Sequence, residues 1–95
     1  MGAIAGKFGA VYMAQGSPIA MTDEATTCLD PGAYTKYQIA DAAKRYVDKD
    51  TPVTVKVNGV EQSSGWTFDY VGGIVTFDTP LTSADVVTVS GAYLQ

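Results

Sequence analysis

The residues that come nearest to a chemical motif lie at the start of the chain, where Gly2-Ala3-Ile4-Ala5-Gly6-Lys7 has the outline of a phosphate-binding loop. Such a loop needs four residues between its glycines, so that successive N–H groups wrap the phosphate, and a Ser or Thr after the lysine to reach magnesium. Here three residues separate the glycines, Phe8 follows the lysine, and no strand precedes the segment to aim it. We read it as no cradle. Asp48 and Asp50 have the alternate spacing of calcium ligands but lack a third ligand and the distal glutamate of an EF-hand loop, so they read as solvated loop carboxylates. The single cysteine, Cys28, has no histidine anywhere in the chain to act as its base, which removes a Cys–His nucleophile and the usual zinc sites together. Its expected role is that of a small, half-buried side chain. Asp69 and Asp78 fall near each other on the outer face of an expected hairpin, and an open sheet face without a pocket is a poor place for acid–base chemistry. The aromatic set Trp66, Phe68, Tyr70 and Phe77 could stack bases or sugars, but a small core needs large side chains and the chain is acidic, so packing is the stronger reading. No nucleophile, base and oxyanion donors come together. The reading is therefore not an enzyme, with no cofactor and no metal.

The elements that would position these residues are clearest in the second half. Val53–Val57, then Asn58-Gly59, then Val60–Gln62 is a hairpin signal, because Asn and Gly tolerate the positive φ values of a two-residue primed turn. With Asn58 and Gly59 in the turn, Lys56 faces Glu61, an opposite-charge pair worth about 0.2–1 kcal/mol. A second hairpin is expected at 66–71 and 74–78 with Gly72-Gly73 as its turn, pairing Tyr70 with Val75, Phe68 with Phe77 and Trp66 with Thr79 on a buried face. Residues 86–94 read as a last strand with Val87, Val89 and Tyr93 on one side. In the first half, Phe8–Ala14 reads as a strand stopped by Gln15-Gly16-Ser17-Pro18, and Tyr34–Ile39 as another. Residues 19–32 show no clean period and carry at most a weak strand at Ala25–Leu29 before the turn Asp30-Pro31-Gly32. Asp41–Tyr46 reads as a short helix capped by Asp41 and stopped before Pro52. The expected fold is mainly β, a small antiparallel sandwich or barrel-like domain with six or seven strands and one short helix.

Ninety-five residues make one domain, here 8–95, preceded by an arm, 1–7. A domain of this size hides only about 60–65% of its unfolded surface, and with no disulfide to staple it, contact with a neighbouring subunit is the remaining support. Six basic against ten acidic residues argue against a nucleic-acid backbone as direct partner. No stretch approaches the ~20 apolar residues that cross a bilayer, the N-terminus lacks a signal-peptide pattern, and Gly6 stands where a myristoylation motif wants Ser or Thr. Synthesis in the cytoplasm is expected. The arm, with Gly2, Ala3, Ala5 and Gly6 small enough for close backbone approach, Ile4 as an anchor and Lys7 as its one charge, reads as an assembly contact laid on another subunit.

Over residues 34–94 the chain resembles small structural proteins of tailed bacteriophages and prophages. The residues that carry the likeness are Trp66-Thr67-Phe68-Asp69-Tyr70-Val71-Gly72-Gly73-Ile74-Val75-Thr76-Phe77 and the strand ending Val89-Ser90-Gly91-Ala92-Tyr93, with Ala42–Asp48 and Thr51–Gly59 before them. The resemblance implies a virion protein made in the bacterial host, a capsid decoration protein that reinforces the head lattice. Its partners would be the major capsid protein and other copies of itself. A tail-tube or neck subunit is the alternative within that group, and a soluble ligand-binding β-module the alternative outside it.

Overall fold

A computed structural model describes residues 17–95. Seven strands are present among them: β1 Pro18–Cys28, β2 Lys36–Ile39, β3 Thr54–Val57, β4 Val60–Glu61, β5 Trp66–Asp69, β6 Ile74–Phe77 and β7 Val87–Leu94, with a single 3-10 turn at Ala42–Lys44. They form one antiparallel sheet in the order β4-β3-β7-β1-β2-β6-β5. The first and last strands of that order are neighbours in sequence, joined by residues 62–65 alone. Seven flat strands would set their outer edges about 29 Å apart, whereas five peptide steps reach at most about 19 Å. The sheet must therefore curl, and it is a mainly β half-barrel. The indole Nε1 of Trp66 donates to the Gln62 carbonyl at 2.7 Å and holds the short connection in place.

One face of the curl carries the core: Met21, Tyr37, Ile39, Val55, Val75, Phe77, Val87 and Val89, with Val47 from a segment bridged to Tyr93 at the end of β7. Trp66, Phe68 and Tyr70 pack against this cluster while remaining partly accessible, and Tyr37 meets Phe77 edge to face. The aromatic hairpin thus does pack inward.

The first hairpin has the expected register, with Val57 opposite Val60, Lys56 opposite Glu61, and Asn58 and Gly59 both at positive φ. The expected ion pair is replaced by another. Lys56 reaches across β7 to Asp23 at 3.1 Å. The second hairpin is displaced by two residues from the expected register: Trp66 pairs with Phe77, Phe68 with Val75 and Asp69 with Ile74. The cause is Asp69, whose carboxylate accepts from the N–H groups of Val71 and Gly72 at 3.0 and 3.2 Å, while its carbonyl accepts from Gly73 at 2.9 Å. That closes a four-residue loop, 70–73, in place of a two-residue turn. A slip of two preserves the faces, so the aromatics stay inside.

The longest strand, β1, occupies a region whose pattern gave only a weak strand at its end. Between Met21 and Glu24 its pairing with β7 shifts by one residue, a bulge in which Asp23 takes φ +50° and donates its N–H to Ser90 Oγ at 2.8 Å. A bulge breaks the two-residue period that reveals a strand. The expected helix shrinks to one 3-10 turn. Asp41 caps it as expected, accepting from Ala43 N at 3.0 Å, but Val47 is already buried and bridged to Tyr93, which leaves too few residues to propagate a helix. The strand expected at Phe8–Ala14 and the arm 1–7 lie outside the described residues.

Candidate functional site

The central strand β1 changes partners along its length. Its ladder with β7 runs from Pro18 to Ala25, and its ladder with β2 takes over at Thr26 and runs to Cys28. Where one ladder ends and the other begins, β1 and the segment leading into β7 part, leaving a cleft of about 290 Å³. Thr26, Cys28 and Tyr37 lie on one side of it, Thr82, Ser83 and Asp85–Val87 on the other, and Tyr34 and Asp23 also border it.

Each wall is held by a polar device. Asp30 organises the β1–β2 connection: its carboxylate accepts from the N–H groups of Thr35 and Lys36 at 3.0 and 2.9 Å, from the Thr35 hydroxyl, and from the Cys28 thiol at 3.4 Å. These donors, Thr35 Oγ1 foremost, hold the Asp30 carboxyl down at about 2. Its carbonyl accepts from Ala33 and Tyr34, and Tyr34 sits at φ +55°, a conformation few bulky residues adopt. The turn is what brings Tyr34 to the cleft. On the opposite wall Asn58 has a second task besides the hairpin turn: its Nδ2 donates to Asp85 Oδ1 and its Oδ1 accepts from Val86 N, both at 2.8 Å. Asp85 in turn accepts from Thr82 N and Thr82 Oγ1 at 2.8 and 3.1 Å. The Asn58 amide first, then Thr82 N, lowers the Asp85 pKa.

Tyr37, in the β1–β2 wall, is 5% exposed, and among the described residues its buried hydroxyl has no hydrogen-bond partner. Burial above all, then the neighbouring Cys28, Asp85 and Asp30, pushes its pKa up to about 12, so the phenol stays neutral. A buried hydroxyl left unpaired costs about 1–3 kcal/mol. No other buried side-chain polar atom among the described residues is left in this state.

The residues singled out from the sequence scatter. Asp69 and Asp78 stand at opposite ends of the second hairpin: Asp69 closes the loop, and Asp78 N donates to Gly65 at the open end. Asp48 accepts from Thr51 Oγ1 at 2.7 Å and Asp50 N at 3.2 Å, a loop-closing arrangement. Among the described residues no three His, Cys, Asp or Glu side chains stand close enough to hold a metal ion. Cys28 is half-buried as expected, and among the described residues it is the one sequence candidate that borders the cleft. Gly2, Ala3, Ile4, Ala5, Gly6 and Lys7 lie outside the described residues. Tyr37 and Asp85 drew no attention from the sequence, since 48 positions separate residues that only the sheet order brings together. No protein-family model matches the chain, and no curated protein matches it.

Proposed function

We propose that the chain is a non-enzymatic structural protein of a tailed-bacteriophage particle, a capsid decoration protein that binds the assembled head lattice through the major capsid protein and through other copies of itself. The observation that supports this reading is an open sheet. Among the described residues β5 has no neighbour beyond it, and β1 from Pro18 to Glu24 has β7 on one side and no strand on the other. Such edges accept a strand from another chain by main-chain hydrogen bonding. The arm 1–7 is the element we assign to that contact between copies. Deletion of residues 2–7 leaves the thermal midpoint of the isolated protein nearly unchanged and sharply reduces its incorporation into particles. Normal incorporation of the truncated protein, or its unfolding, would remove the arm from this role.

A second reading, a ligand-binding β-module, is favoured by the cleft around Tyr37. Saturable binding by a protein that never self-associates would select it.

A further inference from the structure

Asn58 is the single asparagine of the chain, and a glycine follows it. That pair is chemically labile, because the amide nitrogen of the following residue can attack the asparagine side-chain carbon, and a glycine there has no side chain to obstruct the approach. Nothing around the turn blocks it either. Asn58 and Gly59 are both exposed, and the space that a side chain on Gly59 would fill is empty to 4 Å.

What restrains the reaction is a clasp. Asn58 Nδ2 donates to Asp85 Oδ1 and Asn58 Oδ1 accepts from Val86 N, both at 2.8 Å, while Asn58 N donates to the Val86 carbonyl at 2.7 Å. The two side-chain bonds pin the carboxamide against residues 85 and 86, so its carbon cannot swing onto the Gly59 nitrogen while they are closed. The same bonds decide what the product does. Asp85 Oδ2 already accepts from Thr82 N and Thr82 Oγ1 at 2.8 and 3.1 Å. The ion pairs among the described residues, Lys44–Glu24 and Lys56–Asp23, do not include Asp85. A carboxylate at position 58 keeps the bond from Val86 N but turns an acceptor toward Asp85 Oδ1 at hydrogen-bond distance, like charge against like with no cation between them. An isoaspartate instead lengthens the backbone of a two-residue turn on which the pairs Val57–Val60 and Lys56–Glu61 depend.

We propose that Asn58 is a self-modification site that works as a one-way latch: when residues 82–86 lift, Asn58 converts to aspartate or isoaspartate, and the segment cannot close again on the first hairpin. The Gly59 nitrogen attacks Asn58 Cγ and gives up its proton, the Cγ–Nδ2 bond breaks, and ammonia leaves behind a five-membered succinimide. Water then adds to one of the two ring carbonyls and breaks its bond to the Gly59 nitrogen, which recovers a proton. The chemistry consumes one water, releases one ammonia and needs no oxidant. It is independent of any place in a virion.

The full-length protein is incubated at mildly alkaline pH, folded and in denaturing guanidinium chloride, and conversion of Asn58 is followed by peptide mass spectrometry. Conversion should be at least about tenfold slower in the folded protein, because the clasp must open first. Asn58→Asp, which stands for the aspartate product, should melt about 4–8 °C below wild type, the shift that goes with one lost hydrogen bond in a domain of this size. Adding Asp85→Asn should recover most of that loss, since a carboxamide at 85 donates to a carboxylate at 58 and still accepts from Thr82. A residue that serves only the turn gives a loss that Asp85→Asn does not repair. If Asn58→Asp folds too poorly to melt cooperatively, a folded double variant reads the same contact. Equal conversion rates in folded and denatured protein, Asn58→Asp melting like wild type, or no recovery in the double variant would each overturn the latch.

Discussion

Replacing Gly73 and Gly59 by alanine, one at a time, separates two costs that a glycine can conceal. Both residues take positive φ, +66° at Gly73 and +81° at Gly59, so each alanine incurs the left-handed penalty of about 1–2 kcal/mol. Around Gly59 a new methyl group meets nothing within 4 Å. At Gly73 the same methyl would lie 2.9 Å from the Cα and the carbonyl oxygen of Arg45, which are backbone atoms that no rotamer change can move. Ile39 N also donates to the Gly73 carbonyl at 2.9 Å, so the loop cannot drift away without opening that bond. Overpacking of this kind adds about 1–3 kcal/mol. Gly59→Ala should therefore lose about 1–2 kcal/mol, and Gly73→Ala about 2–5 kcal/mol. A domain of this length has on the order of 5–14 kcal/mol in total, so both variants remain measurable. Urea denaturation followed by Trp66 fluorescence gives both values from the midpoint at constant slope. Equal losses in the two variants would refute the close packing of the 70–73 loop on the segment after the Ala42–Lys44 turn.

Phe77→Ala, at the inner face of β6, should cost about 3–5 kcal/mol by the same denaturation assay, and Phe77→Leu much less; a loss below about 1 kcal/mol for the alanine would take Phe77 out of the core. Asp30 carries a pH signature. Its carboxyl is held at about 2 in the folded protein against 3.8 ordinarily, so the stability it contributes is complete above pH 3.8 and is lost as pH falls toward 2. Melting temperatures measured from pH 5 to pH 2 should therefore fall less steeply for Asp30→Asn than for wild type, and parallel slopes would contradict the role given to its donors.

The hairpin at Asn58-Gly59 was fully legible because every determinant of it is local. The second hairpin was legible in its faces but not in its register, since the sequence shows two adjacent glycines and does not show that Asp69 will fold its carboxylate back onto Val71 and Gly72. β1 was hidden by its bulge: Asp23 and Glu24 interrupt the alternation at the point where Glu24 turns inward to Lys44 at 2.8 Å. The cleft was not legible at all. Cys28 and Tyr37 meet only because β1 pairs with β2, and Asp85 joins them only because Asn58 ties the 82–86 segment to the first hairpin. These are long-range consequences of strand order, which local pattern does not encode.

The proposal of a capsid decoration protein is tested most directly by imaging. An epitope-tagged copy of the chain is supplied during growth of a tailed phage, and purified particles are viewed by electron microscopy with gold-labelled antibody. Gold distributed over the head is the expected result. Gold confined to the tail or neck would move the protein to another part of the particle, and particles without label would contradict a place in the virion altogether.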